Sequence, residues 1–403
     1  MATLRTTSAA TLLITLALAG TPARAEIKGE VVRIGVLTDM NGIFATAMGP
    51  GSVEAARMAA EEFGGKINGK PIEIIAGDHQ NKPDIGASIA NRWYDVDKVD
   101  AISEVVNSAV AFAVLDITKQ KNKAMLIAGA GSADFTGKAC APDNSVHWVY
   151  DTYELGAAVG ATVSQLGKKW FFISADYAFG AALEAGLRPM LVKNGAEVVG
   201  GVKHPLGNSD FSSFVLQAQA AKPDVIALNS GGDDTIGALK AIREFGLKAK
   251  VMGFGLDSPA GVKAMGLQVA QGAYNVNPWV RADDAETKAF VDKFIARRKV
   301  YPGSFQVGHY SAVKSYLKAV QATNSTDPKV VIAKMRETPV KDVFTQDGYL
   351  RPDGRMVHSV ALTQMKTPAE SKGEWDLYKV VAKLKGDDVF RPLKGGGCPA
   401  TDK

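Results

Sequence analysis

Two hydrophobic rhythms alternate along this chain. VVRIGVL (residues 31–37) is a β-branched apolar run, and SVEAARMAAEEF (52–63) follows with apolar positions at helical spacing behind Pro50-Gly51. Short apolar runs bounded by turn residues predict strands, and a 3.6-residue period predicts helices. The alternation continues. KINGKPIEIIAGD (66–78) predicts an Asn-Gly turn and a strand over 72–76. DIGASIANRWYDV (84–96) predicts a helix, VDAISEVV (99–106) a strand, and 112–117 part of a helix; AMLIAGAGS (124–132) is a strand ending in small residues. Strands separated by helices of this length imply parallel sheets covered on both faces.

The scheme then starts again. KKWFFISADYAFG (168–180) opens like VRIGVLTDMNGIF (32–44). A helix over 181–193, a second Asn-Gly turn in NGAEVVGG (194–201), a helix in SDFSSFVLQAQAA (209–221) and a strand in DVIALNS (224–230) follow in the same order. One continuous sheet of this size is unusual, so the repeat predicts two similar α/β lobes. After KVMGFG (250–255) and GAYNVNPWV (272–280) come helical patterns in 284–300 and 309–323. GRMVHSVALTQMK (354–366) and WDLYKVV (375–381) are strand-like. Crossings between lobes are expected near Tyr150, 276–279 and 351–355, and several crossings together form a hinge.

The first residues set the compartment. MATLRTTSAATLLITLALAGTPARAE has a basic residue, an apolar run over 9–19 and Ala23-Arg24-Ala25, the order of a secretory signal peptide with cleavage before Glu26. The run is shorter than the roughly 20 residues that span a bilayer, so no stable membrane insertion is expected. Removing residues 1–25, with Arg5 and Arg24, from 403 residues holding 47 Lys and Arg and 42 Asp and Glu leaves 378 residues of net charge +3. That charge is mild and scattered, which argues against nucleic acid. Cys140 and Cys398 are the two cysteines. In an oxidising compartment they are expected to pair, pinning the tail KGGGCPATDK to the body.

The chemistry lies at strand ends. In a doubly wound sheet, ligands sit beyond the carboxyl ends of the strands. Those ends are 38–44, with Phe44 last, Asn107-Ser108, 130–132, 175–180, 229–234 and 255–258. Asn107-Ser108 opens a helix, where unpaired N–H groups and the dipole favour a carboxylate; the same pair is also an ordinary N-cap. GAGSAD (129–134) lacks phosphate-loop spacing and reads as a small-residue loop that lets a ligand approach the backbone. In the second half, Tyr177 and Phe179 offer an aromatic wall. Asp233 and Asp234 either meet a cation or cap TIGALKAI. Walker A, H-E-x-x-H and G-x-S-x-G motifs are absent, and the five histidines stand singly. No enzyme, metal site or cofactor is therefore expected.

IGVLTDMNGIFATAMGPGSVEAARMAAEEF, GDHQNKPDIG, EVVNSAVAFAV, ISADYAFG, HPLGNSDFSSFVLQAQA and GLQVAQG (266–272), in this order, resemble the periplasmic solute-binding proteins of the branched-chain amino acid type. The resemblance implies a type I periplasmic-binding fold, α/β, with two Rossmann-like lobes joined by three crossovers. Residues 30–149 and 278–353 would form the first lobe, 150–277 and 354–393 the second, and 394–403 a tail. It implies a periplasmic monomer that closes on a small carboxylate-bearing ligand and serves an ABC permease and ATPase. A sensor without transport is the alternative role. By resemblance the carboxylate docks on Asn107, Ser108, Ala130, Gly131 and Ser132. Phe179, with Tyr150 or Tyr177, encloses the apolar part, and Gly232-Asp233 adds a contact. The family's acid for the ligand ammonium falls at Gly255, with Asp257 two residues on, and no Cys stands near the third strand. Relatives that carry aromatic carboxylates or amides are similar in the same way.

Overall fold

The computed structural model describes residue 27 and residues 29–402; the leader expected over 1–25 lies outside them. The first sheet holds β1 (Val32–Thr38), β2 (Lys66–Ile67), β3 (Lys70–Asp78), β4 (Ala101–Glu104), β5 (Ala124–Ile127) and β6 (Ser145–His147), in spatial order β2-β3-β1-β4-β5-β6. Its pairs are parallel except the β2–β3 hairpin. Asn68 and Gly69 turn that hairpin with φ of 49° and 84°, both in the region a type I′ turn requires.

The second sheet begins with β7 (Lys169–Ala175), β8 (Glu197–His204), β9 (Val225–Asn229), β10 (Lys250–Gly253) and β11 (Tyr274–Asn277). The chain then returns to the first lobe. There the helices Ala285–Arg298 and Ser304–Thr323 pack on α1 (Gly49–Glu61), and β12 (Tyr349–Leu350) pairs with β13 (Met356–Val357). Finally β14 (Val360–Met365) and β15 (Tyr378–Leu384) join the second sheet antiparallel, giving the order β15-β14-β11-β10-β9-β7-β8. The fold is thus two α/β lobes with mostly parallel sheets, connected three times.

Local chemistry sets the helix starts that face the cleft. α2 (Pro83–Asp95) opens on Pro83, whose missing N–H costs nothing there. Asn107 caps α3 (Ser108–Gln120), its Oδ1 accepting from Ala109 N at 3.0 Å and Val110 N at 3.4 Å. Asp151 caps α4 (Thr152–Leu166) through the N–H groups of Tyr153 and Glu154. α5 (Ala178–Lys193), α6 (Ser212–Ala221) and α7 (Gly232–Glu244) follow in the second lobe.

The crossings are stitched together. Buried Arg355 donates from Nη1 to Tyr150 O (2.9 Å), from Nη2 to Trp148 O (3.0 Å) and from Nε to Met356 O (2.9 Å). His358 Nε2 donates to Val149 O at 2.7 Å. The run 354–366 is therefore two strands rather than one: β13 stays with the first lobe, and the chain passes to β14 at His358-Ser359. The passage lies at this point, after the turn at 351–355. The tail then returns to the first lobe, where a disulfide joins Cys398 to Cys140 with Cα atoms 5.6 Å apart. Among the described residues, no helix is long and apolar enough to cross a membrane.

Candidate functional site

A cavity lies between the lobes at the carboxyl ends of both sheets, enclosing about 550 Å³ of atom-free space, mouth included. Nine of the eleven residues expected from sequence line it: Phe44, Asn107, Ser108, Ala130, Gly131, Tyr150, Tyr177, Phe179 and Asp257. Ser132 and Asp233 do not. Ser132 sits behind the wall, donating its N–H to Ser108 Oγ at 3.2 Å while its own Oγ caps the turn at Ala133–Thr136. Asp233 N–H donates across the cleft to Ile43 O at 3.1 Å, so Asp233 holds one lobe to the other and its side chain lies off the cavity.

The first-lobe wall is built of backbone amides. The carbonyls of the loop 129–131 are each bound elsewhere: Gly129 O accepts from the Tyr150 hydroxyl (3.0 Å), Ala130 O from His147 Nε2 (2.8 Å) and Gly131 O from Thr152 N (2.8 Å). Among the described residues, the N–H groups of Ser108, Ala130 and Gly131 have no hydrogen-bond partner. Ser108 Oγ accepts from Ser132 N, which leaves its proton free to donate. Successive unpaired amides at a helix start form an anion-binding concavity. The backbone leading there is strained: Glu104, Val105 and Asn107 have φ of 76°, 49° and 74°. Such conformations in non-glycine residues persist where surrounding structure imposes them, commonly at ligand sites.

Aromatic rings close the rest. Tyr150 packs edge-on to Phe305 (centroids 5.1 Å apart) and to Phe179 (6.1 Å). Both rings lie over Gly131: a Cβ there would stand 2.5 Å from the Tyr150 ring and 2.8 Å from Phe179. From the second lobe, Asp257 accepts a hydrogen bond from the Ser304 hydroxyl and is otherwise buried. Burial pushes its carboxyl up to about 6, against the hydrogen bond that lowers it. The lobes touch where Gly231 and Gly232 meet Ile43 and Phe44; Gly232 has φ of 60°, and a Cβ on it would stand 2.2 Å from Ile43 O.

Sequence reasoning missed Met48, Val106, Leu155, Phe254, Pro278 and Phe305 among the lining residues. For Phe305 a signal existed. Pro302-Gly303-Ser304 is a helix-start pattern, and the helix does begin at Ser304, five residues before the expected 309. No cluster of three His, Cys, Asp or Glu side chains placed to hold a metal occurs among the described residues.

An enclosed cleft between two hinged lobes, walled by unpaired amides on one side and aromatic rings on the other, defines a two-lobed solute-binding fold. The chain belongs to the periplasmic binding protein family, whose model matches residues 31–374. That family binds solutes and does not catalyse reactions. A periplasmic binding protein from Burkholderia mallei is 42% identical with a TM-score of 0.88, over 92% of this chain and 99% of that one. A branched-chain amino acid ABC transporter periplasmic ligand-binding protein from Burkholderia xenovorans is 38% identical, TM-score 0.81, over 92% and 100%. A Rhodopseudomonas palustris ABC transporter solute-binding protein in complex with benzoate shares the fold at 21% identity, TM-score 0.78, over 88% and 97%. Leu/Ile/Val-binding protein homolog 4 of Brucella abortus is 25% identical, the match spanning 66% of this chain and 66% of the relative.

Proposed function

We propose that this protein is an extracytoplasmic receptor for an ABC importer: it binds a small carboxylate-bearing solute between its lobes and hands it to a membrane permease driven by an ATPase. In this reading it is exported to the periplasm by residues 1–25 and acts as a monomer. The observation that carries the reading is the group of unpaired N–H donors at Ser108, Ala130 and Gly131 beside the free Ser108 hydroxyl. Those donors suit the anionic head, and each hydrogen bond to a charged group contributes about 1.5–3 kcal/mol. Tyr150, Tyr177, Phe179 and Phe305 would wrap the apolar body.

Two ligand classes fit. A branched-chain or other hydrophobic amino acid would set its ammonium against Asp257, whose carboxyl has Ser304 as its hydrogen-bonding partner. An aromatic carboxylate is favoured by the rings that surround the cavity. A thermal-shift screen with leucine, isoleucine, valine, phenylalanine, benzoate and 4-hydroxybenzoate separates them. A ligand at a hundred times its dissociation constant adds about 2.7 kcal/mol of apparent stability. At least one of these carboxylates should raise the melting temperature, and a flat response to all of them contradicts the reading. For an amino acid hit, Asp257→Asn should weaken binding; for an aromatic acid it should not.

Closure can be tested at Gly232. An Ala at 232 would collide with Ile43 O only when the lobes meet. Gly232→Ala is expected to raise the dissociation constant of the hit about tenfold or more, equivalent to roughly 1.4 kcal/mol or more. The unliganded melting temperature should fall only slightly, by the cost of a left-handed Ala. Calorimetry and melting curves measured together check both.

A further inference from the structure

Glu104 closes β4 beside Leu37 of β1 and Ile127 of β5. Those two side chains point into the core beneath α2 and α3, and strict strand alternation would send Glu104 the same way. Its φ of 76° breaks the alternation. The carboxyl instead lies beside Ser52, near the start of α1, and against Gly129, where Oε1 is 2.9 Å from the place a Cβ would occupy. Gly129 is part of the cavity wall. Glu104 has no exposed surface, and the one hydrogen-bonding group beside its carboxyl is the Ser52 hydroxyl, which is too poorly aligned to form a geometric hydrogen bond. A buried carboxylate with no cation and a single hydroxyl beside it is not sustained; desolvation outweighs that contact and the group keeps its proton.

We infer that Glu104 is a specificity-determining residue of the cavity: held as the neutral acid just behind the wall, it admits a ligand carboxylate that its ionised form would repel. The inference rests on the carboxylate reading of the cavity. Burial pushes the Glu104 carboxyl up to about 8. The groups around it leave that window clear. His309, on the helix Ser304–Thr323, bonds Ser52 O and Ser103 Oγ and is pushed down to about 4 by burial. Tyr150, from the first crossing, is pushed up and stays neutral. Asp257, from the second lobe, titrates near 6. In β1 and β5 the residues level with Glu104 are Leu37 and Ile127, neither of which titrates.

A like charge at about 6–8 Å, with an effective dielectric near 20, weakens anion binding roughly thirty- to a hundredfold. The probes are benzoate and leucine, with benzamide as the uncharged counterpart of benzoate, titrated by calorimetry between about pH 7 and 9.5, above the Asp257 transition. The affinity of wild type for the carboxylate should fall roughly ten- to thirtyfold across that range. Glu104→Gln, which keeps shape without charge, should bind the carboxylate with no such slope, and benzamide should show none with either protein. A slope that survives in Glu104→Gln, or that benzamide shares, overturns the inference.

A second measurement needs no ligand. The folded state keeps a proton that the unfolded chain releases, so the stabilising contribution is complete below about pH 4.5, falls as pH rises and levels above about 8. Within that window the unfolding equilibrium constant of wild type should rise up to tenfold per pH unit relative to Glu104→Gln. Parallel profiles for the two proteins overturn the neutral acid. If neither carboxylate binds but the profiles diverge, the carboxylate reading has failed and with it the role in specificity, while the neutral acid stands.

Discussion

Replacing Asn107 and Ser108 together by alanine is expected to weaken carboxylate binding more than a hundredfold while leaving a folded protein. The Ser108 hydroxyl has one lone pair engaged by Ser132 N and its proton free. Its loss removes a charge-assisted hydrogen bond of about 1.5–3 kcal/mol. Asn107 acts differently. Its Oδ1 is occupied by Ala109 N and Val110 N, so it contributes by holding the helix start at a φ of 74°. Asparagine tolerates that conformation and alanine does not. In Asn107→Ala the first turn of α3 should relax toward ordinary φ and carry the Ser108 N–H away from its aim. Loss of the cap costs about 1 kcal/mol of stability, small beside the loss of affinity. Calorimetry with the hit from the screen gives the first quantity and a denaturant melt the second. Unchanged affinity would remove this wall from the binding site. Asn107→Gly, which tolerates the same φ, should recover part of the loss.

Arg355→Met is expected to lower the unfolding free energy by about 3–5 kcal/mol, the range for breaking a buried ionic group. The guanidinium bonds three crossover carbonyls, at Trp148, Tyr150 and Met356, stacks over Phe390 at 4.4 Å from the ring centroid and lies 3.5 Å from an Asp151 oxygen. Its removal leaves those carbonyls and the Asp151 and Glu154 carboxyls buried without it. Both Glu154 oxygens already lack partners, and burial holds its carboxyl well above the usual range. Arg355→Lys keeps the charge but not the planar fork, and should lose most of the same stability. Because Arg355 joins the first crossing to the strand pair before the third, weaker cooperativity between the lobes should accompany the loss. A shallower denaturant transition in Arg355→Met, read by fluorescence and circular dichroism, checks that.

Much of the architecture was legible because the signals were long and repeated. The Asn68-Gly69 hairpin, α1, α2, α3 and the parallel strands around them follow from periodicity and turn chemistry. The duplication exposed two lobes, and helix-start residues at strand ends pointed to the cavity. What escaped was short or non-local. β6 has three residues, too few to show a period. The helix Pro328–Glu337 is only 10 residues long, and Asp327-Pro328 is the one local mark of its start. The break at His358 depends on a hydrogen bond to Val149, 209 residues earlier, which no local pattern encodes. Asp233 looked like a ligand contact because an acid at a strand end can meet a cation and the family resemblance puts a contact there; its N–H in fact meets Ile43 from the other lobe. Glu104 reads as one acid in an apolar strand. Only the left-handed backbone at that residue turns its carboxyl toward the cavity wall.

The central claim is that the lobes close on a carboxylate held at Ser108, Ala130 and Gly131. Small-angle scattering of the mature chain, alone and saturated with the strongest hit from the screen, tests it most directly, with the Asn107→Ala/Ser108→Ala protein as the control. Wild type should become more compact on adding that solute, and the control should not change. Tight binding with identical scattering curves, or equal compaction in the control, would contradict the claim.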